Sequence, residues 1–130
     1  MSYNRIEIFD TSCSFLQSIT LRFQPYGLAL SNGIIYVGGK SNNKINVIKN
    51  GTITKDINIV KCSQVITEIT VDSFGYMAII CNDDNLITVY DLNGNYMNTK
   101  ISTSLTPYIT SIDSNGRYVI MTMYSLDIYY

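Results

Sequence analysis

The chain of 130 residues contains no histidine and no tryptophan, and only 15% of its residues are charged. Histidine is the commonest general base and metal ligand, and the usual partner of a serine or cysteine nucleophile. The sequence also contains no nucleophile beside a base, no metal-ligand cluster and no phosphate-binding glycine loop. We therefore predict a non-enzymatic protein without a cofactor or a bound metal.

Positive charge is scarce as well, because nine Lys and Arg residues stand against ten Asp and Glu residues. Nucleic-acid binding requires clustered basic residues, so we expect no nucleic-acid partner. No apolar run approaches the roughly 18 residues that cross a bilayer, and the first residues, "MSYNRIEIFD", lack the apolar core of a signal peptide. We expect no membrane association and a cytoplasmic location.

The three cysteines, Cys13, Cys62 and Cys81, are an odd number without CxxC spacing. This pattern predicts three reduced thiols. Isoleucine, asparagine and the eleven tyrosines have AT-rich codons, which indicates an AT-rich genome.

Apolar and polar residues alternate with period two in "RIEIF", "KINVI", "LITVY" and "LDIYY". Such alternation places the apolar side chains on one face of a β-strand. Asn-Gly and similar pairs separate the alternating segments. The sequence therefore predicts an all-β chain of short strands.

Three glycines, Gly33, Gly75 and Gly116, follow the similar segments "LALSN", "TVDSF" and "SIDSN" and precede apolar runs. The second and third segments also contain an aspartate, Asp72 or Asp113, which can accept hydrogen bonds from turn amides. The glycine supplies a positive φ. We predict a hairpin turn at each glycine.

A second motif appears as "NRIEIFD", "NKINVIK" and "NLITVYD", with a weaker copy in "YSLDIYY". A further strand follows each of the first three copies, and two of these hairpins should turn at Asn50-Gly51 and Asn93-Gly94. One repeat thus contains four strands: a before the glycine, b after it, c in the second motif, and d last.

Four strands in about 40–45 residues are typical of a β-propeller blade. The cadence "Pro…Asp-x-x-Gly-x-aromatic-apolar" resembles the NHL and YVTN-type propeller families over essentially the whole chain. We predict one domain, 1–130, with about three four-stranded antiparallel blades. Its 13 strands comprise c–d in 1–21, blades in 25–59 and 66–103, and a–b–c in 107–130.

Propellers usually close with four to eight blades. Three blades would leave apolar faces and strand edges open, and a symmetric homodimer would close a six-bladed ring. The C-terminal a–b strands of each chain would then complete the N-terminal blade of the other, with "RIEIF" or "LDIYY" displaced. The alternatives are a fragment of a longer propeller and a compact three-sheet domain.

The propeller resemblance implies that partners meet the face formed by the d–a and b–c loops. The candidate binding residues on that face are Gln24, Tyr26, Lys40, Asn42, Asn82, Asp83, Asp84 and Tyr108. The adjacent carboxylates of Asp83 and Asp84 could hold a hard cation, although such pairs on turns are ordinarily solvated.

We predict a non-enzymatic binding or scaffold module that acts through protein–protein interaction and self-association. One alternative is a propeller lyase or hydrolase with a carboxylate or metal site in the central channel. The other is a structural component of a particle or virion of an AT-rich genetic element.

Overall fold

The structure is a computed structural model that describes residues 4–40, 43–62, 65–81, 86–102, 107–112, 117–122 and 126–129. Side chains are described within these ranges up to residue 98, and at residues 101 and 117.

Within these residues the chain forms thirteen strands in antiparallel sheets, as the alternating pattern predicted. The strands are β1 (Arg5–Phe9), β2 (Phe15–Thr20), β3 (Pro25–Ser31), β4 (Ile34–Gly39), β5 (Lys44–Lys49), β6 (Thr52–Asn58), β7 (Ile66–Val71), β8 (Tyr76–Cys81), β9 (Leu86–Asp91), β10 (Tyr96–Ser102), β11 (Pro107–Ile112), β12 (Tyr118–Thr122) and β13 (Leu126–Tyr129). Neighbours in sequence are neighbours in each sheet: β1–β2, β3–β6, β7–β10 and β11–β13. In the described part of the chain, no helix is long and apolar enough to cross a membrane.

The largest core lies between the two four-stranded sheets. Tyr36, Ile45 and Val47 from one sheet pack with Ile69 and Met77 from the other. The first strands of consecutive sheets are neighbours, since β3 contacts β7 and β7 contacts β11. This succession of sheets brought together by their first strands is the arrangement expected of a propeller.

The backbones of β3 and β7 approach each other closely at Gly27. A Cβ atom at this position would lie 2.9 Å from the Cα atom of Glu68. A side chain at position 27 would therefore push the two sheets apart, and glycine permits the contact.

A second core joins the N-terminal sheet to the first four-stranded sheet. Ile6, Ile19 and Leu21 pack against Val37 of β4 and Ile48 of β5. The two-stranded sheet therefore covers β4 and β5, and its apolar side chains hold it there.

Three aspartates close turns with the same geometry. The Oδ1 atom of Asp72 accepts hydrogen bonds from the amides of Phe74 and Tyr76, at 2.9 and 2.8 Å. Asp10 and Asp91 accept the equivalent bonds from the amides two and four residues later, at 2.8–2.9 Å. The aspartate thus supplies an acceptor for turn amides that lack a partner in the sheet.

The fourth residue of each aspartate turn has a positive φ: 91° at Gly75, 89° at Gly94 and 65° at Cys13. The two-residue turns differ, because both of their residues have positive φ, as at Asn50 and Gly51. Asn32-Gly33 is of this second kind. Asn93-Gly94 is of the first kind, since Asp91 lengthens that turn.

Candidate functional site

The segment after β2 and the end of β4 meet on the predicted binding face. The amide of Lys40 donates a hydrogen bond to the carbonyl of Gln24 at 3.0 Å, and both side chains are exposed. A Cβ atom at position 39 would collide with the Gln24 carbonyl, so Gly39 allows this approach. The structure thus brings together two of the predicted binding residues, Gln24 and Lys40.

Tyr26 is the extra residue of a β-bulge near the start of β3, between the pairs Pro25–Gly39 and Gly27–Gly38. β7 and β11 carry bulges at the same place. The Tyr26 side chain is about half exposed and lines a groove with Arg5, Glu7 and Leu28. Lys40 does not line this groove, because it lines a different one.

The other predicted residues lie outside what the structure describes. This holds for Asn42, Asn82, Asp83, Asp84, Asp113 and Gly116, and for the side chain of Tyr108. In the parts of the chain with described side chains, no three His, Cys, Asp or Glu residues converge on a common point.

A groove of about 490 Å³ lies between the segment after β2 and the strands β5 and β6. We call it the basic groove. Its lining residues are Arg22, Phe23, Lys40, Lys44, Asn46, Ile53 and Asp56.

The polar groups of the basic groove come from the segments that follow β2 and β4 and from the strands β5 and β6. Within β5 and β6, the buried Asn46 donates a hydrogen bond from Nδ2 to the Oδ1 atom of Asp56. Among the described residues, Arg22 and Lys40 form no ion pair. The groove therefore combines three cations with one carboxylate that a buried amide orients.

The sequence prediction of the binding face included Lys40 but missed Arg22, Lys44, Asn46 and Asp56. Lys44 and Asn46 alternate with the buried Ile45 and Val47 in β5, so they occupy the opposite face of the strand. That alternation was a usable signal. The pairing of Asn46 with Asp56 required the register between β5 and β6.

The prediction of three reduced thiols is wrong for two of them. Cys62, which follows β6, forms a disulfide bond with Cys81 at the end of β8, and their Cα atoms are 5.6 Å apart. Cys13 is free and exposed. The error arose because the sequence places the two cysteines 19 residues apart, whereas the fold brings the segment between the two four-stranded sheets against β8.

Two leucines of β3 are exposed where the repeat would bury them. Leu28 pairs with Val37 just after the β3 bulge, and Ile69 pairs with Ile79 at the same place in β7. Yet Leu28 is 50% exposed and Ile69 only 2%. Leu30, at 67%, is likewise more exposed than its counterpart Val71, which packs against the core. We call Leu28 and Leu30 the open face.

Glu68 is the ionisable group at the contact between β3 and β7. Its side chain is half-buried, and its Oε1 atom accepts a hydrogen bond from the Ile69 amide at 3.1 Å. Burial raises the pKa of the Glu68 carboxyl, because the charged form is poorly solvated there.

Solved structures share this fold. Hydrazine synthase from Kuenenia stuttgartiensis is similar with a TM-score of 0.74 and 18% identity, over 96% of this chain and 39% of that chain. Virginiamycin B lyase from Staphylococcus aureus is similar with a TM-score of 0.73 and 16% identity, over 98% of this chain and 48% of that chain. No family model and no curated protein matches the sequence.

These likenesses define the class of protein: the chain has a propeller-like, all-β fold with antiparallel sheets. It spans less than half the length of either of these two chains. At 16–18% identity, the likeness extends to the fold and not to an activity.

Proposed function

We propose that this protein is a non-enzymatic binding and scaffold module, a propeller of the NHL or YVTN type that associates with a second copy of itself. The exposure of the open face carries the proposal. The N-terminal sheet covers the apolar side chains of β4 and β5 on this side of the sheet. It leaves Leu28 and Leu30 of β3 exposed. Exposed apolar surface of this kind is typical of a contact site.

The repeat itself indicates what fits the open face. Ile69 and Val71 of β7 pack in the core between the two four-stranded sheets. The hairpin of β3 and β4 covers them there with Ala29, Ile34 and Tyr36. The natural cover for Leu28 and Leu30 is therefore another hairpin of the β3–β4 kind. β11 and β12 form such a hairpin, in a sheet of three described strands.

Two copies arranged with twofold symmetry would each place β11 and β12 against the open face of the other. Such an interface is reciprocal, so the assembly closes without leaving either face exposed. Full burial of an exposed leucine contributes about 1.5–3 kcal/mol. Tyr26 lines the groove beside Leu28 and would form the polar rim of the contact.

The mass in solution tests the proposal. Size-exclusion chromatography with light scattering at low micromolar concentration should give twice the chain mass of 14.7 kDa. The double substitution Leu28→Asp with Leu30→Asp should give a monomer, because two carboxylates would be buried in an apolar contact.

Leu16→Asp is the matched control, since Leu16 is 58% exposed but lies on β2. It should leave the dimer intact. Far-UV circular dichroism should show β-structure in every variant. A monomeric unmodified protein, or a double variant that still dimerises, would refute self-association through the open face.

A further inference from the structure

We propose that the basic groove binds a small organic phosphate, a phosphomonoester carried on an apolar or aromatic body. The groove differs from the open face in every lining residue, so this inference is independent of self-association. Its lining includes the predicted binding residue Lys40, together with residues after β2 and residues of β5 and β6.

The size and the apolar part of the groove suit a small molecule. Its volume of about 490 Å³ is in the range of small-ligand sites. The mostly buried Phe23 and the partly exposed Ile53 are its apolar lining residues. They can accommodate an apolar body while the polar residues fix the anionic end.

The charges of the groove favour a dianion. Arg22 follows β2, Lys40 follows β4, and Lys44 is the first residue of β5. The guanidinium of Arg22 can donate two parallel hydrogen bonds to a phosphate, and the lysines act as point charges. Three cations around one carboxylate stand out in a chain whose net charge is −1.

The orientation of Asp56 is compatible with an anion in the same groove. The buried Asn46 amide donates to one of its carboxylate oxygens, which ties that oxygen to β5. A long polyanion would need a continuous stripe of cations, and the groove supplies a compact set with an acid among them. A small phosphate ester therefore fits better than nucleic acid.

Titration of the ¹⁵N-labelled protein with phenyl phosphate, followed by amide chemical shifts, tests the inference. We expect saturable shifts around Arg22 and Lys40, with a dissociation constant of about 1 mM or tighter. Inorganic phosphate has only the anionic part of the ligand, and phenol has only the ring. Each should bind about tenfold more weakly than phenyl phosphate. Benzoate should also bind more weakly, because it has a single negative charge.

Substitutions in the groove separate specific binding from general charge attraction. Arg22→Gln and Lys40→Gln should each weaken phenyl phosphate binding about tenfold. Lys49→Gln is the matched control, because Lys49 is an exposed lysine at the other end of β5, outside the groove. Ile53→Ser should weaken binding of phenyl phosphate but not of inorganic phosphate.

Three results would overturn the inference. The first is an absence of shifts at 10 mM phenyl phosphate, about ten times the expected dissociation constant. The second is equal weakening by Lys49→Gln. The third is benzoate binding as tight as that of phenyl phosphate, which would show that the groove takes carboxylates instead. The monomeric double variant of the open face should keep the phosphate site, which separates this result from the test of self-association.

Discussion

At the scale of single residues, the aspartate turns show how far a sequence pattern predicts structure. The pair Asp72 and Gly75 could be recognised because glycine allows a positive φ and aspartate accepts amide hydrogen bonds. Asp10 forms the same turn, but its positive-φ position holds Cys13 instead of glycine. A motif that depends on glycine misses such a turn, because the backbone conformation and not the residue type defines it.

Cys13 is strained in this position, and replacing it should stabilise the protein. An L-residue with a side chain pays about 1 kcal/mol or more for the left-handed conformation that glycine adopts freely. Cys13→Gly should raise the free energy of unfolding by about 1 kcal/mol in urea denaturation. Cys13→Ser retains the Cβ atom and should give no gain. A glycine variant less stable than the serine variant would contradict the argument.

At the scale of strands and loops, the alternating pattern predicted the strands, but burial alternates only in strands such as β1, whereas β4 and β5 are buried on both faces. The bulges in β3, β7 and β11 were not predictable in this way, since one extra residue barely changes the pattern. The disulfide was missed for a related reason. Its two cysteines belong to different structural units, and the distance between them depends on how the sheets pack.

Loss of the Cys62–Cys81 bond should destabilise the chain. The bond closes a loop over 19 residues and so reduces the conformational freedom of the unfolded chain. Cys62→Ser with Cys81→Ser should lower the free energy of unfolding by about 3 kcal/mol relative to the oxidised protein.

A thiol count provides a direct check on the disulfide. The oxidised protein, denatured without a reductant, should react with one equivalent of a thiol reagent, and the reduced protein with three. Three equivalents before reduction would show that the bond is absent.

At the scale of the whole molecule, the repeat predicted a propeller because a four-stranded period leaves few other architectures. Of the predicted binding residues, Gln24 and Lys40 lie together, whereas Tyr26 lines another groove. The open face could not be read from the sequence, since Leu28 and Ile69 are both ordinary apolar strand residues. They differ only in their surroundings, because a neighbouring sheet covers Ile69 and leaves Leu28 exposed.

The stability of the whole molecule should depend on pH through groups that act in opposite directions. The pKa of the Asp10 carboxyl is lowered first by the Ser12 hydroxyl, and that of Asp91 by the Asn95 side chain. Their stabilisation is lost as the pH falls below the ordinary value of 3.8. The raised pKa of Glu68 acts oppositely: stability is lost as the pH rises above 4.5 through the folded-state pKa.

The free energy of unfolding, measured by denaturation between pH 3 and pH 7, should therefore be greatest near pH 4. This pH lies between the ordinary pKa values of aspartate, 3.8, and glutamate, 4.5. Glu68→Gln should remove most of the decline above pH 4.5. Glu7→Gln, at an exposed position on β1, is the matched control and should preserve it. If Glu68→Gln follows the same curve as the unmodified protein, another group causes the decline.

The disulfide also determines how the molecule would respond to a mechanical pull on its two ends. Force travels along the covalent chain, and the Cys62–Cys81 bond offers a path that bypasses the segment containing β7 and β8. The oxidised chain would therefore reach a contour length about 60 Å shorter than the reduced chain. The bypassed strands β7 and β8 would carry no load even after the rest of the chain had been drawn straight.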